Sequence, residues 1–309
     1  EHRYKHIFGP VPSRRLGRSL GVDLTPGNTC SFDCVFCQLG RTRTRTSERR
    51  EFVPLAEVTA ELAEWLEDGE ADYITLAGSG EPTLHTRFGE VIRFVQARSR
   101  IPVALLTNSS LLHLEEVRRD AAAADLVKVS LSAWDQASLE MVNRPAAGVE
   151  FEDILDGLRV FRTVYSGKLW IEVFLVPGMN ADPSRFRRIA SLANTIDPDR
   201  IQLNTAVRPP ADSGIEPADP AFLAELAAEC GPRAEVIAEF DPNRFKTLKT
   251  SDKAILAMLR RRPCTAEQIG SVLGLHPNEV MKFVGRLVRD GSVRREMRGK
   301  DAYYVAVTQ

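Results

Sequence analysis

No apolar run in the 309 residues approaches the roughly 18 that a membrane-spanning helix needs; the longest, over 171–176, is the size of a strand. No charged stretch followed by an apolar core opens the chain, so a secretory leader is not expected and the cytoplasm is the expected compartment. The first residue is Glu1 rather than Met, which leaves room for residues ahead of it. Cysteine is scarce. There are five, an odd number, and three fall within eight positions. That excludes the paired framework of an oxidised secreted domain and suits a metal or cluster site in a reducing compartment. Lysine is missing from the whole stretch between Lys5 and Lys128. Internal repeats are absent, and low complexity is confined to the segment RTRTRT. Net charge is nearly absent at −1, but it is unevenly spread. Residues 251–309 carry 11 Lys and Arg against 6 Asp and Glu, a net of +5, and the rest of the chain is net −6. A basic end on an acidic body points to an anionic partner for that end.

What is present is a repeating alternation. Strand-sized apolar runs are expected over 20–25, 73–77, 103–107, 126–132, 170–176 and 200–204. Helical spacing separates them: Leu55, Val58, Leu62, Trp65 and Leu66 share a face, as do Phe88, Val91, Ile92 and Val95, and Phe151, Ile154, Leu155, Leu158 and Phe161. Pro183 after Asp182 marks a helix start. Such alternation argues an α/β fold with a parallel sheet, and six units are too few for a closed eight-fold barrel. Residues 206–220 read as a loop, about 221–230 as a helix and 231–250 as a linker. From 251 the pattern becomes three short helices, over 252–261, 266–273 and 276–290, followed by a hairpin around 298–301. Thr265 and Gln268 form a capping box before the second helix. This arrangement resembles a winged helix-turn-helix. The expected domains are therefore 1–230, a linker 231–250, and 251–309.

The chemistry concentrates in Cys30-Ser-Phe-Asp-Cys34-Val-Phe-Cys37, just after the first expected strand. Three close thiolates can hold three irons of a cubic cluster and leave the fourth without a thiolate from this loop. An open metal position is where substrate chemistry takes place. A structural zinc ion would need a fourth ligand, but Cys230 and Cys264 are distant in sequence and no histidine lies nearby. CxxxCxxC with an aromatic, Phe36, before the last cysteine is similar to the signature of the radical S-adenosylmethionine (SAM) superfamily. The stretches Pro10-Val-Pro-Ser-Arg-Arg-Leu-Gly17 and Cys37-Gln-Leu-Gly40 resemble the branch related to wyosine-type tRNA-modifying proteins. The resemblance covers about 7–210.

It implies a partial (β/α)6 TIM-like barrel carrying a 4Fe–4S cluster on Cys30, Cys34 and Cys37. It also implies SAM on the fourth iron, reductive cleavage to a 5′-deoxyadenosyl radical, and an external electron donor of the flavodoxin or ferredoxin type. Gly78-Ser79-Gly80-Glu81-Pro82 is similar to the family's GGEP motif, with Glu81 on the SAM amino group. By the same resemblance Asn108, Ser130 and Ser132 approach SAM's ribose or carboxylate, and Val176 and Phe36 its adenine. Asn143-Arg-Pro145 matches an element of the branch, and Gln202, Asn204, Thr205 and Arg208 face substrate. Two features depart from wyosine formation: no second three-cysteine site exists, and no lysine sits on the N-terminal elements. The direction of Lys128 is open at this level.

Arg14, Arg15 and Arg18 before the cluster loop, and Arg41, Arg43, Arg45, Arg49 and Arg50 after it, either attract an anionic substrate or form solvated loops. In the C-terminal domain Lys282, Arg286 and Arg289, with Arg294, Arg295, Arg298 and Lys300, suit nucleic acid, or else decorate a docking or lid module. The expected function is a radical SAM enzyme acting on a nucleic acid, tRNA first. The alternatives are modification of a peptide, protein or small metabolite, and a DNA-binding regulator that senses cluster and SAM.

Overall fold

The computed structural model describes residues 4–25, 28–37, 39, 41–206, 211–212, 214–237, 252–273, 280, 283–284, 287–288, 290–298 and 301–307. Strand β1 (Ile7–Ser13) turns back antiparallel into β2 (Gly17–Val22), and two short strands, β3 (Thr29–Cys30) and β4 (Thr44–Arg45), pair apart from the main sheet. Parallel strands then follow: β5 (Tyr73–Leu76), β6 (Val103–Thr107), β7 (Leu126–Ser130), β8 (Lys168–Phe174), β9 (Arg200–Asn204) and β10 (Ala234–Val236). The order across the sheet is β1-β2-β5-β6-β7-β8-β9-β10.

The sheet curls. Side chains from the β1–β2 turn, from β2, β5, β7 and β8, and from β9 near the far edge all line one cavity. A flat sheet cannot bring its two edges to one cavity, so this is an incomplete barrel. The Arg14 guanidinium donates to the Ile237 carbonyl (2.8 Å), which ties the β1–β2 turn to the end of β10.

Helices cover the outside: α1 (Leu55–Leu66), α2 (Phe88–Gln96), α3 (Glu115–Ala121), α4 (Gln136–Val142), α5 (Phe151–Val164), α6 (Pro183–Thr195) and α7 (Pro220–Cys230). The apolar faces read from the sequence are the buried ones; Leu55, Val58, Leu62, Phe88, Val91, Ile92, Ile154 and Phe161 all join one core with the strands. The Asp182 side chain accepts from the Ser184 and Arg185 amides and so starts α6, with Pro183 in the first turn.

Three expectations change. The expected linker contributes β10, a seventh parallel strand too short for periodicity to reveal. Pro10 and Pro12 disguise β1, which tolerates them because it lies at the sheet edge. The expected strand over 170–176 runs two residues earlier, so Val176 lies beyond β8.

The C-terminal elements are α8 (Asp252–Arg261), α9 (Ala266–Leu273), β11 (Val293–Arg298) and β12 (Asp301–Ala306). The Thr265–Gln268 box is formed on both sides, at 3.1 and 3.2 Å. Ile255, Met258, Leu259, Ile269, Val272, Val280, Val284, Leu287 and Tyr304 make a second core. Val288, in the expected third helix, is exposed. Lys282, Arg286, Arg289 and Lys300 fall outside the described residues. The module is docked on the barrel. Phe8 of β1 packs into the second core, and Arg261 lies over its ring at 4.8 Å while pairing with Asp23 at 3.2 Å.

Phe8→Ala is expected to cost about 2 kcal/mol, below the roughly 3–5 kcal/mol of a fully buried phenylalanine because the ring is half-buried. It should make the C-terminal elements α8 to β12 more susceptible to limited proteolysis than in the wild type. An unchanged cleavage rate would remove Phe8 from the docking contact.

Candidate functional site

The three cysteines lie on the loop that leaves β2, at the C-terminal end of the parallel strands. In such folds ligands sit at that end, because strand and helix termini present polar groups there. Each sulfur is met by N–H donors. The Asn143 side-chain amide donates to Cys34 (3.2 Å), that of Asn108 and the Phe32 amide donate to Cys30 (both 3.5 Å), and the Leu39 amide faces Cys37. Burial raises all three thiols above their ordinary range. Cys30 is pushed up to about 12, with the Glu81 charge adding to the effect, and Cys34 also lies well above it. N–H groups aimed at sulfur favour its anionic or metal-bound form and offset that burial. The donor set therefore fits an iron–sulfur cluster. Among the described residues no three His, Cys, Asp or Glu side chains converge on a point where one ion could be held. A cubic cluster takes one thiolate per iron, so its ligands need not converge.

Asn143-Arg-Pro145 carries the cluster loop. The Asp33 and Val35 amides donate to the carbonyls of Asn143 and Val142, the Ala146 amide to that of Ser31, and Phe32 bridges Pro145. Arg144 holds Asp212 through a forked pair at 3.2 and 2.7 Å.

Gly78-Ser79-Gly80-Glu81 follows β5, but its glycines make room for protein. A Cβ on Gly80 would overlap the Thr29 carbonyl, and one on Gly78 would overlap Asp23. Asp23 also accepts from the Ser79 amide (3.0 Å) and hydroxyl (2.5 Å). Glu81 is buried and accepts four hydrogen bonds: from the Thr83 amide (3.1 Å) and hydroxyl (2.6 Å), the Thr107 hydroxyl (2.6 Å) and the Asn108 amide (2.7 Å). A carboxylate has about four acceptor positions. Three of these bonds fall on Oε1 and one, from Asn108, on Oε2, so Oε2 retains an acceptor position for the expected SAM ammonium.

Asn108 reaches the cluster loop, donating to Ser31 (2.8 Å) as well as to Cys30. Ser130 and Ser132 have their described hydrogen bonds elsewhere. Backbone groups of Ser130 exchange bonds with the Ser109 hydroxyl, and the Ser132 hydroxyl accepts from the Phe174 amide. Val176 is buried with its amide on Asn180. Phe36 stacks on Phe174, centroids 3.9 Å apart and rings 8° from parallel.

The radical SAM superfamily model matches residues 24–188, more than half of the chain. The chain belongs to the radical SAM superfamily. It is 32% identical over 305 residues to a UPF0026 protein of Methanocaldococcus jannaschii, covering 96% of this chain and 94% of that one. It is 35% identical over 302 residues to a Brachyspira hyodysenteriae protein named GTPase Obg, covering 95% of this chain but only 44% of that protein. Its fold matches Streptococcus suis SuiB, solved with SAM bound, with a TM-score of 0.51 at 17% identity over 66% of this chain and 45% of SuiB. The chain is an enzyme of a superfamily whose cofactors are a 4Fe–4S cluster and SAM, and which draws its electron from an external donor. No helix among the described residues is long and apolar enough to cross a membrane.

In this radical SAM fold a cavity of about 380 Å³ runs from Phe36, Cys37, Gly78 and Ser79 into the barrel. On its inner wall the sequence names Asn204 of β9 and leaves the direction of Lys128 of β7 open, but does not mark Glu172 of β8; all three line the cavity. Glu172 accepts from Lys128 (3.1 Å) and Asn204 (3.3 Å) and pairs with Arg15. Burial pushes the Lys128 ammonium down to about 7, with Arg15 and Arg14 lowering it further and Glu81 opposing them.

In the unfolded chain Lys128 holds its proton up to its ordinary range near 10.5. Between about pH 7 and 10 the unfolded state thus binds more protons than the native one, and stability rises with pH. Lys128→Met should remove that rise, a slope of at most about 1.4 kcal/mol per pH unit. Urea unfolding of both proteins at pH 7 to 9.5 measures it, and parallel profiles would return Lys128 to an ordinary charged lysine.

Proposed function

We propose that this radical SAM enzyme holds its 4Fe–4S cluster on Cys30, Cys34 and Cys37 and abstracts hydrogen from a substrate lying in the barrel cavity. The observation that carries the assignment is the set of N–H donors facing all three sulfurs. Cluster and SAM together supply reductive carbon–sulfur cleavage and a hydrogen-abstracting 5′-deoxyadenosyl radical. The chain's own residues do the placing. Asn108 and Asn143 fix Cys30 and Cys34. Gly78 and Ser79 offer backbone and hydroxyl at the cavity mouth, with the Phe36 ring beside them. Glu81 acts at one remove, holding Thr107 and Asn108 where Asn108 can reach the cluster loop.

The C-terminal module is read as a winged helix that serves as a lid. Polynucleotide binding rests on basic residues of which Lys282, Arg286, Arg289 and Lys300 lie outside the described set. What is described places α8 against β1 and puts Arg261 and Arg262 on the cavity wall. That favours enclosure of a small substrate over presentation of tRNA. The second cluster of wyosine formation finds no support: Cys264 is buried in the C-terminal core, and Cys230 ends α7.

Anaerobically reconstituted protein should bind close to four irons per chain. With reductant and SAM it should slowly release 5′-deoxyadenosine without substrate. Cys34→Ala should lose both. Zinc in place of iron, in protein prepared without oxygen, would defeat the cluster assignment.

A further inference from the structure

The inner end of the cavity holds an imbalance of charge. Arg14, Arg15 and Lys128 line it together, and one lining carboxylate, Glu172, lies among them. Glu172 serves both Arg15 and Lys128. Arg14 has a neutral partner, the Ile237 carbonyl. Two further carboxylates are within electrostatic reach but are committed elsewhere. Glu235 pairs with Arg200 (3.2 Å), and Glu81 is enclosed by its four donors. The three cations also repel one another. Burial and the neighbouring Arg262 bring Arg14 down to about 10, and burial with Arg14 brings Arg15 down to about 9.

Buried cations are costly unless they are paired, and buried polar groups are nearly always hydrogen-bonded. Here the buried Nε of Arg15 has no hydrogen-bond partner. A guanidinium is matched to a flat or tetrahedral oxyanion, which takes two of its N–H groups at once. Arg261 and Arg262 of the C-terminal module also line the cavity, and Arg262 is the one close enough to Arg14 to lower it. Arg261 is committed to Asp23, so it anchors the module, and Arg262 presents further positive charge to the wall.

We propose that Arg14, Arg15 and Lys128 form a receptor for the anionic group, phosphate or carboxylate, of a small substrate, and that the docked C-terminal module closes it with Arg262. This rests on the reading that the cavity holds the substrate of the radical enzyme. The geometry orients that substrate. Its anionic end lies in the barrel among the three cations, and the rest of it points toward Phe36, Cys37 and Ser79, where the cofactors act. About 380 Å³ is the scale of a metabolite or nucleotide pocket. Each charge-assisted hydrogen bond lost from such a group lowers affinity about ten- to hundredfold.

The test uses the reconstituted 309-residue chain under anaerobic conditions, with inorganic phosphate and malonate as probes at constant ionic strength. An anion that binds the native state raises the unfolding midpoint along a saturating curve. The wild type should show such a curve for at least one probe. Response to phosphate alone assigns a phosphorylated substrate, response to malonate alone assigns a carboxylate, and response to both assigns a general oxyanion receptor; all three support the proposal. Arg14→Gln and Lys128→Met should shift half-saturation upward about ten- to hundredfold. Arg15→Lys, which keeps the charge and loses the fork, covers the case in which either variant fails to fold. Arg98→Gln, a change of a surface arginine stacked on Phe94, should follow the wild type. Non-saturating shifts equal in all proteins would overturn the proposal. So would SAM affinity that falls in step with phosphate affinity in Arg14→Gln, because the cations would then serve the carboxylate of SAM. Four irons and 5′-deoxyadenosine without any anion curve would end this inference alone. An anion curve without iron would uphold the receptor and end the cluster assignment.

Discussion

The buried carboxylate of Glu81 is the constraint on which the site depends. Four donors converge on it from β6, from the residue after β6 and from the turn after β5, and its own amide donates to the Thr29 carbonyl of β3. One charge thereby fixes two strand ends and the start of the cluster loop relative to each other. Burial alone raises its pKa, and the hydrogen bonds oppose that rise. A charge buried in this way is tolerated only when it is fully satisfied, because a missing donor leaves the desolvation cost without compensation. The same demand makes the arrangement specific: a different loop path would strand a carboxylate in the core. Asn108 turns this rigidity toward the sulfur of Cys30, and Asn143 does the same for Cys34 from the other side of the loop.

A second carboxylate, Asp23, joins the two halves of the molecule. It accepts from Ser79 on the glycine-rich loop and pairs with Arg261 of the C-terminal module. Gly78 lies so close to it that any side chain at that position would collide. The module is therefore held on the barrel by side-chain contacts. Its docking is read out at the same atoms that set the position of Ser79 at the cavity mouth. An ion pair largely withdrawn from solvent is screened less than a surface pair, so this contact carries more weight than most of the salt bridges on the outside of the barrel.

Much of the fold was legible because its signals are local. The helical faces beginning at Leu55, Phe88 and Phe151, the caps at Asp182 and Thr265 and the six parallel strands follow from spacing and capping chemistry. The strands that escaped notice are edge strands. β1 carries prolines that only an edge accepts, and β10 has three residues. The cysteines were legible for the same local reason. The sulfur partners were not, since Asn108 and Asn143 lie 78 and 109 residues from the cysteines they meet. Sequence marked the glycines of 78–80 as points of close approach. Only the fold shows which protein groups approach there, and Asp23 and Thr29 are among them. Lys128 was undecidable because β7 is apolar on both sides of it, so alternation could not give it a direction.

The cavity unites these points. A barrel with one open seam has to close that seam, and here β1, the Arg14–Ile237 bond and the C-terminal module do so together. Closure removes water, and with less water every charge inside interacts more strongly. For radical chemistry that exclusion is protective, because a reactive species meets only the group held beside it. The same exclusion makes the clustered cations of the inner wall costly when nothing accompanies them. An anion entering from solvent recovers part of that cost, whereas a neutral molecule of the same shape does not. Selectivity for charge thus follows from enclosing Arg14, Arg15 and Lys128 around a single glutamate, before any contact with the reacting end of the substrate is made.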